Sequence, residues 1–336
     1  MEKKKQADLP VTSLLVAVRN EANYIKNCIS SLQSQTYPQD KLEVIILDGG
    51  STDGTDQIVQ SLIKGHPNFK FFDNPKIIQS AAWNFGLDIC SGDIISIVSG
   101  HVTFAPDYVS KAVDTLQRTG SDMVGGTIRA VSETRVGQAI ALAMSHPFGV
   151  GGARHRYTDR EEETDSVFMG FSRRSVYEKI GGYDEELVRN QDDEFSYRLS
   201  KTGGRIICNP EIVSYYHSRS TIKSLWQQYY QYGFYKVRVL QKHPGQMRPR
   251  QFVPLAFVLG LILTVLFSLI TSWGWIVLAG MVGIYTLANL TASFLIARRE
   301  GWRYFWLLPL AFATIHLAYG LGFLVGLFKF WNRWKR

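Results

Sequence analysis

At 336 residues the chain has room for one large domain or two ordinary ones. Its net charge of +8 gathers around long apolar stretches, which suits anionic lipid headgroups, and no basic helix with interleaved aromatics argues for nucleic acid. The cysteines, Cys28, Cys90 and Cys208, have no metal-type spacing and read as buried thiols in a reducing compartment.

The N-terminal run Met1-Glu2-Lys3-Lys4-Lys5-Gln6 is charged and no apolar segment follows it. No signal peptide is expected, so the polar part of the chain should stay on the cytoplasmic side. After a tail over 1–10, Val11–Val18 reads as a strand. Asn20-Glu21 opens a helix with Ile25, Ile29 and Leu32 on one face, ending near Tyr37-Pro38. Leu42–Leu47 is a near-continuous apolar run, the pattern of a parallel strand buried on both faces. Asp53 or Thr52 can cap the next helix, which carries Ile58, Leu62 and Ile63. Phe69–Phe72 is a third strand, Ser80–Ile89 a helix and Asp93–Val98 a fourth strand. This alternation predicts an α/β fold with an open, doubly wound parallel sheet. Ligands of such sheets bind at the carboxyl ends of the strands, where Asp48 and Ser99-Gly100-His101 fall.

The following region is more mixed. Asp122–Val131 reads as a strand and Thr134–Met144 as a helix. Phe148-Gly149-Val150-Gly151-Gly152-Ala153-Arg154 reads as a Gly-rich loop. Val176–Gly181 is a short helix, and Asp193–Lys201 a helix stopped by Gly203-Gly204. Arg205–Cys208 and Val213–Tyr216 are late strands. Thr221–Leu240 is an aromatic, basic amphipathic stretch within an interfacial segment over 221–250. Beyond it, 251–336 is a membrane region. Val253–Thr271, Trp275–Ala297 and Tyr304–Phe328 are each long enough to cross a bilayer. Trp273, Trp275, Trp302, Trp306 and Trp331 near their ends fit an aromatic belt. Gly322 and Gly326 offer a small-residue face for helix packing. Pro309, Gly320 and Gly322 are expected to break the last segment into a re-entrant or interfacial element. With three spans and the polar part inside, Arg333-Trp334-Lys335-Arg336 would lie outside, against the positive-inside tendency.

Two constellations carry chemistry. Leu47-Asp48-Gly49-Gly50-Ser51-Thr52-Asp53-Gly54-Thr55 is a strand running into a Gly-rich turn. Asp48 there can accept from an imide N–H or ribose hydroxyls, or can simply organise the turn. Asp192-Asp193-Glu194 is a carboxylate cluster that a fold keeps together where a base or a cation is needed. Glu194 and Arg198 are one helical turn apart and should pair. Together the two segments suggest sugar transfer, with one holding a nucleotide and the other deprotonating an acceptor.

Five pieces in this order resemble the family 2 glycosyltransferases with a GT-A fold. They are Val18-Arg19-Asn20-Glu21, the run from Leu47 to Thr55, Ala82-Trp83-Asn84-Phe85-Gly86, Gly181-Gly182-Tyr183-Asp184-Glu185 and Gln191-Asp192-Asp193-Glu194. They set a catalytic domain at 11–220. Phe148–Gly152, Arg189–Glu194 and Tyr232-Gly233-Phe234-Tyr235-Lys236 look more narrowly like membrane-bound exopolysaccharide glycosyltransferases of the succinoglycan type, which extend a sugar on a polyprenyl diphosphate carrier.

The resemblance implies an inverting transfer from a nucleotide sugar, a UDP-sugar, to a polyprenyl-linked acceptor. It implies a multi-pass protein of the bacterial inner membrane, its catalytic domain facing the cytoplasm and other polysaccharide assembly proteins as partners. Asp48, Glu21 and Asn84 would line the donor pocket with Ser99 and Arg154. Asp192 would be the general base, with Asp193 as the fallback, and Asp184 and Glu185 would hold the acceptor sugar. Ser99-Gly100-His101 stands where the family usually has an Asp-x-Asp metal motif. A divalent cation, Mn²⁺ or Mg²⁺, would therefore lean on His101, with His217 as the second candidate ligand. Arg154, Arg156, Arg219 and Lys236 are alternative partners for the diphosphate. Two other readings stay open: a processive polysaccharide synthase, although no Gln-x-x-Arg-Trp is present, and an inactive membrane scaffold.

Overall fold

The computed structural model describes residues 9–334. Most of the expected N-terminal tail, and Lys335 and Arg336 of the basic end, lie outside the described residues. The chain forms two compact units. The first runs to Arg129 and resumes over Arg154–His217; the second takes Ala130–Ala153 and the chain from Ser218. The expected catalytic span 11–220 is therefore interrupted, because residues 130–153 group with the apolar C-terminal part, as does the segment expected to be interfacial.

In the first unit an eight-stranded sheet runs in the order β3-β2-β1-β4-β9-β6-β10-β8. Its strands are β1 (Thr12–Val18), β2 (Leu42–Asp48), β3 (Phe69–Asp73), β4 (Ile94–Ser99), β6 (Met123–Gly126), β8 (Glu162–Glu163), β9 (Phe168–Arg173) and β10 (Ile206–Cys208). Strands β5 (Val102–Phe104), β7 (Ile128–Val131) and β11 (Ser214–His217) form a smaller sheet. The first four strands are parallel, and β2 is buried along its whole length, as its apolar run demands. The register pairs Val18 with Asp48, Asp48 with Asp73 and Ala17 with Ser99, so four carboxyl ends share one edge. Strand β9 is antiparallel to β4 and to β6, so its first residue, Phe168, lies towards that same edge.

Helices α1 (Ile25–Gln33), α2 (Thr55–Ile63), α3 (Gln79–Ile89), α4 (Tyr108–Thr119), α7 (Arg174–Ile180) and α8 (Gln191–Lys201) cover this sheet. Helix α1 buries Ile25, Cys28, Ile29 and Leu32, a single helical stripe. Helices α3 and α8 share one core with the sheet: Trp83, Phe195 and Leu199 cluster with Leu15, Ile45 and Leu47. The helix that carries Asp192 in its first turn is thereby anchored in the same apolar cluster as the residue preceding Asp48.

Several boundaries differ from expectation. The segment 122–131 is two strands, not one. A side chain on Gly126 would run into the Ile212 carbonyl, and the β6–β9 ladder is irregular between Val124 and Gly126. Position 54, a glycine at φ 89°, stands at the helix cap, while Asp53 still accepts from the Thr55 N–H (3.1 Å). The Gly-rich stretch begins with a helical turn, α6 (Pro147–Val150), rather than as a loop.

The second unit is helical. It holds α5 (Arg135–Met144), α6, α9 (Ile222–Lys242), α10 (Val253–Ser268), α11 (Ser272–Glu300) and α12 (Leu307–Lys329). Thr134 and Thr221 cap α5 and α9 through their hydroxyls, which accept from Gly137 N and Ser224 N. Three helices, Pro249–Ser268, Ser272–Glu300 and Leu307–Lys329, are long and apolar enough to cross a membrane. Ile262, Leu263, Leu266, Ile284 and Leu287 are exposed, as lipid-facing side chains must be. The last helix is unbroken, contrary to the expectation of a break, because its glycines serve packing. Side chains on Gly322 and Gly326 would strike the carbonyls of Tyr230 and Phe234 in α9, and one on Gly233 would strike that of Tyr319. Glycine lets α9 and α12 touch backbone to backbone.

Candidate active site

The turn after β2 is organised by Asp48. Its carboxylate accepts from Gly50 N (3.0 Å), Ser51 N (2.8 Å) and Ser51 Oγ (2.5 Å), and the side chain is almost wholly buried. The turn role weighed for Asp48 is thus present. The turn is sewn to the loop after β1. Asn20 Oδ1 accepts from Thr52 N (2.8 Å), Ser51 Oγ from Asn20 N (2.9 Å), and Thr55 Oγ1 from Glu21 N (2.8 Å). Asp53 accepts from Ala22 N (3.0 Å) and from the Thr55 hydroxyl (2.6 Å). The Thr55 hydroxyl and the backbone N–H groups hold the Asp53 carboxyl below its ordinary range.

At the end of β4, His101 Nδ1 sits 2.9 Å from Glu21 Oε1. An ionised carboxylate only accepts, so Nδ1 carries the proton, and in the neutral ring Nε2 holds the lone pair. The His101 ring packs edge-on to Tyr216 at 5.3 Å, and His217 lies against Tyr24 at the same centroid distance. Strand β11 pairs antiparallel with β5, Tyr216 opposite Val102, which sets His217 and His101 at one end of that pair. Ser99 contributes its carbonyl to the Cys28 thiol (3.9 Å).

Asn84 is spent on the turn after α7. Its Nδ2 donates to Tyr183 O (2.8 Å) and Glu185 Oε1 (3.1 Å), and its Oδ1 accepts from Tyr183 N (2.7 Å). Its amide is thus engaged by protein groups. Glu185 also pairs with Lys76 (2.8 Å), and Lys76, followed by Asn84, holds its carboxyl below the ordinary range. Asp184 Oδ1 accepts from Glu186 N (2.9 Å).

The acidic helix is preceded by Asn190 at its cap, in the left-handed region at φ 65°. The expected Glu194–Arg198 pair is there: Nε to Oε1 is 2.7 Å and Nη2 to Oε2 is 3.1 Å. Arg198 also donates to the carbonyls of Ile180 (2.5 Å) and Gly182 (2.6 Å). Asp192 Oδ1 accepts from Asp193 N (2.9 Å). Arg198 thus ties the acidic helix to the turn that Asn84 of α3 and Lys76, just after β3, hold from the other side.

Residues 154–166 contribute a feature that sequence reasoning missed. His155 bonds to the backbone of Ser166, just before β9, and feels the charge of Asp193. Its Nδ1 is shielded from solvent, and burial pushes the imidazole from its ordinary 6.5 down to about 3. The Ser166 bond places His155 towards the carboxyl edge of the sheet, where β9 begins. Arg154, expected at the diphosphate, grips Glu162 with two 2.6 Å bonds that hold that carboxyl at about 2. Of the expected site residues, Arg219 and Lys236 fall in the second unit and the others in the first.

Among the described residues no three His, Cys, Asp or Glu side chains form a metal-ligand group. His101 still fits the part of a single ligand. A carboxylate on Nδ1 is the usual way to fix an imidazole with Nε2 ready to ligate, and hard cations take the rest of their shell from phosphate oxygens and water.

The profile described as Glycosyl transferase family 2 matches residues 13–181. The chain is 32% identical over 335 residues to the succinoglycan biosynthesis protein ExoA of Rhizobium meliloti, covering 97% of this chain and 98% of that protein. It is 30% identical to the dolichyl N-acetyl-alpha-D-glucosaminyl phosphate 3-beta-D-2,3-diacetamido-2,3-dideoxy-beta-D-glucuronosyltransferase of Methanococcus voltae, covering 94% and 97%. The solved mannosyltransferase PcManGT from Pyrobaculum calidifontis, in complex with GDP-Man and Mn²⁺, superposes with a TM-score of 0.60 at 20% identity, over 94% of this chain and 88% of that one. That likeness is one of fold.

Proposed function

The chain belongs to glycosyl transferase family 2, and from that membership we propose that it is an inverting, membrane-bound enzyme acting on a lipid-linked saccharide. The donor is a nucleotide sugar, a UDP-sugar in the first instance. The acceptor is a saccharide on polyprenyl diphosphate, in exopolysaccharide or cell-surface glycan synthesis. The relatives whose names speak of succinoglycan biosynthesis and of a dolichyl-linked sugar support this acceptor class. The catalytic unit faces the cytoplasm from the inner membrane, where other polysaccharide assembly proteins are its partners.

One observation carries the reading: the acidic helix and the carboxyl ends of β1, β2 and β4 are tied to one another. Arg198 bonds the turn before that helix, Asn84 and Lys76 bond the same turn, and Asn74 N donates to the Asp48 carbonyl (2.7 Å). In the proposed reaction Asp48 and Glu21 bind the nucleoside and Ser99 lies by the diphosphate. The acceptor hydroxyl oxygen attacks the anomeric carbon opposite the leaving group. The bond from that carbon to the diphosphate oxygen breaks, and Asp192 takes the hydroxyl proton, with Asp193 beside it. A positioned base of this kind contributes about 10²–10⁴-fold. Asp184 and Glu185 stand on the acceptor side, and Asn84 acts through the turn it holds. A divalent cation held through His101 Nε2, with His217 nearby, would neutralise charge on the departing diphosphate. Arg219 and Lys236 are proposed as alternative partners for the diphosphate charge.

The test is transfer by the purified protein. Nucleotide sugars are first screened by thermal shift, then offered with a polyprenyl diphosphate saccharide. One sugar added, with inversion and loss of activity in excess EDTA, is expected. Full activity in EDTA would remove the cation, retention would remove the single displacement, and a long polymer would favour a synthase.

A further inference from the structure

We propose that Ile77 is a specificity residue that covers a face of the donor's nucleobase; the inference rests on the donor pocket proposed at Asp48. Ile77 has a φ of 66°. A β-branched L-residue rarely adopts that conformation, which glycine takes freely and asparagine tolerates. Nothing in the core rewards the strain, because Ile77 remains 46% exposed. An apolar side chain that is strained and left in solvent marks a place where the side chain itself is wanted.

The loop that carries it is held firmly. Asn74 N donates to the Asp48 carbonyl (2.7 Å), Ile77 N to Asn74 O (3.1 Å) and Asn74 Nδ2 to Ile78 O (3.1 Å). Lys76 is pinned by Glu185 at 2.8 Å. The Ile77 carbonyl lies so close to Gly49 that a Cβ there would sit 2.8 Å from it. The strained residue therefore rests directly on the turn that Asp48 organises. A nucleobase has a polar edge and two apolar faces. The carboxyl end of β2 supplies polar groups for the edge, and a branched aliphatic side chain beside it suits a face. A sugar, whose C–H patches are interrupted by hydroxyls, offers a smaller and less flat apolar face than a base.

The test uses the full chain in detergent, titrated calorimetrically with UDP, GDP and ADP, each alone, with thermal unfolding in parallel. Ile77→Gly should hold or raise the melting temperature, since glycine relieves the backbone, yet weaken binding of the preferred nucleoside diphosphate about tenfold. Ile77→Ala should weaken it similarly, and Ile77→Val should retain it. Discrimination among the three bases should narrow in the glycine variant. Unchanged binding in both truncations would overturn the proposal, as would loss of affinity only in step with loss of stability. If the unaltered protein binds none of the three, the donor pocket itself is wrong and this inference falls with it.

Discussion

Asp48 and Asp192 are both aspartates at the end of an element, yet their hydrogen bonds predict different losses. Asp48 is buried and accepts three bonds from its own turn. Asp48→Asn keeps one accepting oxygen but surrenders the charge, and should weaken donor binding, read by calorimetry. Asp48→Ala would also orphan the Gly50 and Ser51 donors and destabilise the unit by about 2 kcal/mol. Asp192→Asn, at the start of a helix anchored by Phe195 and Leu199, should lower turnover about 10²–10⁴-fold with the donor dissociation constant nearly intact. Equal loss of donor affinity in both variants would contradict the separation of roles.

His155 makes a pH prediction. Its folded-state pKa, about 3, lies below its ordinary 6.5, so between those values the unfolded chain binds one more proton than the native one. Stability from this group is complete above pH 6.5 and is lost as the pH falls. The loss should reach about 2 kcal/mol by pH 5. Melting temperatures followed from pH 7.5 to about 5 should fall less steeply in His155→Gln. Parallel curves would show that the imidazole is not held neutral.

At the scale of elements, α9 and α12 meet through glycines, so volume there is costly. Gly322→Val pushes against the Tyr230 carbonyl and should destabilise the helical unit by at least about 2 kcal/mol. Gly280→Ala in α11 meets no atom within 4 Å and should be neutral or slightly stabilising. Thermal unfolding in detergent distinguishes them; a large loss in Gly280→Ala would point to an unseen partner on that face.

The same helices show what a sequence reveals. Apolar runs announced β1, β2 and β4, and the three apolar helices, because burial on both faces or contact with lipid leaves no polar interruption. Strand β9 was not legible, since Phe-Met-Gly-Phe-Ser-Arg has no clean period and its buried Ser172 looks like a loop residue. Helix α4 carried a signal that went unread: Tyr108, Val109, Ala112, Val113 and Leu116 on one face, with Gly120 at φ 61° as its stop. In the site, Glu194–Arg198 followed from helical spacing alone. The Asn84–Tyr183 and Arg154–Glu162 contacts depend on how loops fold back, and spacing says nothing of that.

For the whole chain, the apolar helices and the basic groups between them predict a sidedness. Arg248 and Arg250 precede the first helix, and the short link Leu269–Thr271 carries no charge. Arg298, Arg299 and Arg303 follow the second helix. Within the helical unit, Arg135 Nε donates to Arg303 O (3.0 Å), and Tyr304 hydroxyl donates to Gln138 Oε1 (2.8 Å). The 301–304 link therefore lies with helix α5, on the side from which the chain enters the first span. That arrangement obeys the positive-inside tendency at the first two helices. Helix α12, however, ends beside α9: Phe330 clusters with Val237 and Leu255, Gln241 Nε2 donates to its carbonyl (2.7 Å), and Phe323 lies against Phe252 (5.8 Å). Arg333 is therefore expected on the side from which the chain enters the first span, in keeping with the same tendency. Cysteines placed singly at Ile270, Trp302 and Trp334, with native thiols replaced, should report this in intact cells. A membrane-impermeant maleimide is expected to label position 270 and to spare 302 and 334. Labelling of 302 and 334 with protection of 270 would reverse the assignment, and labelling of 334 together with 270 would carry the last helix across the bilayer.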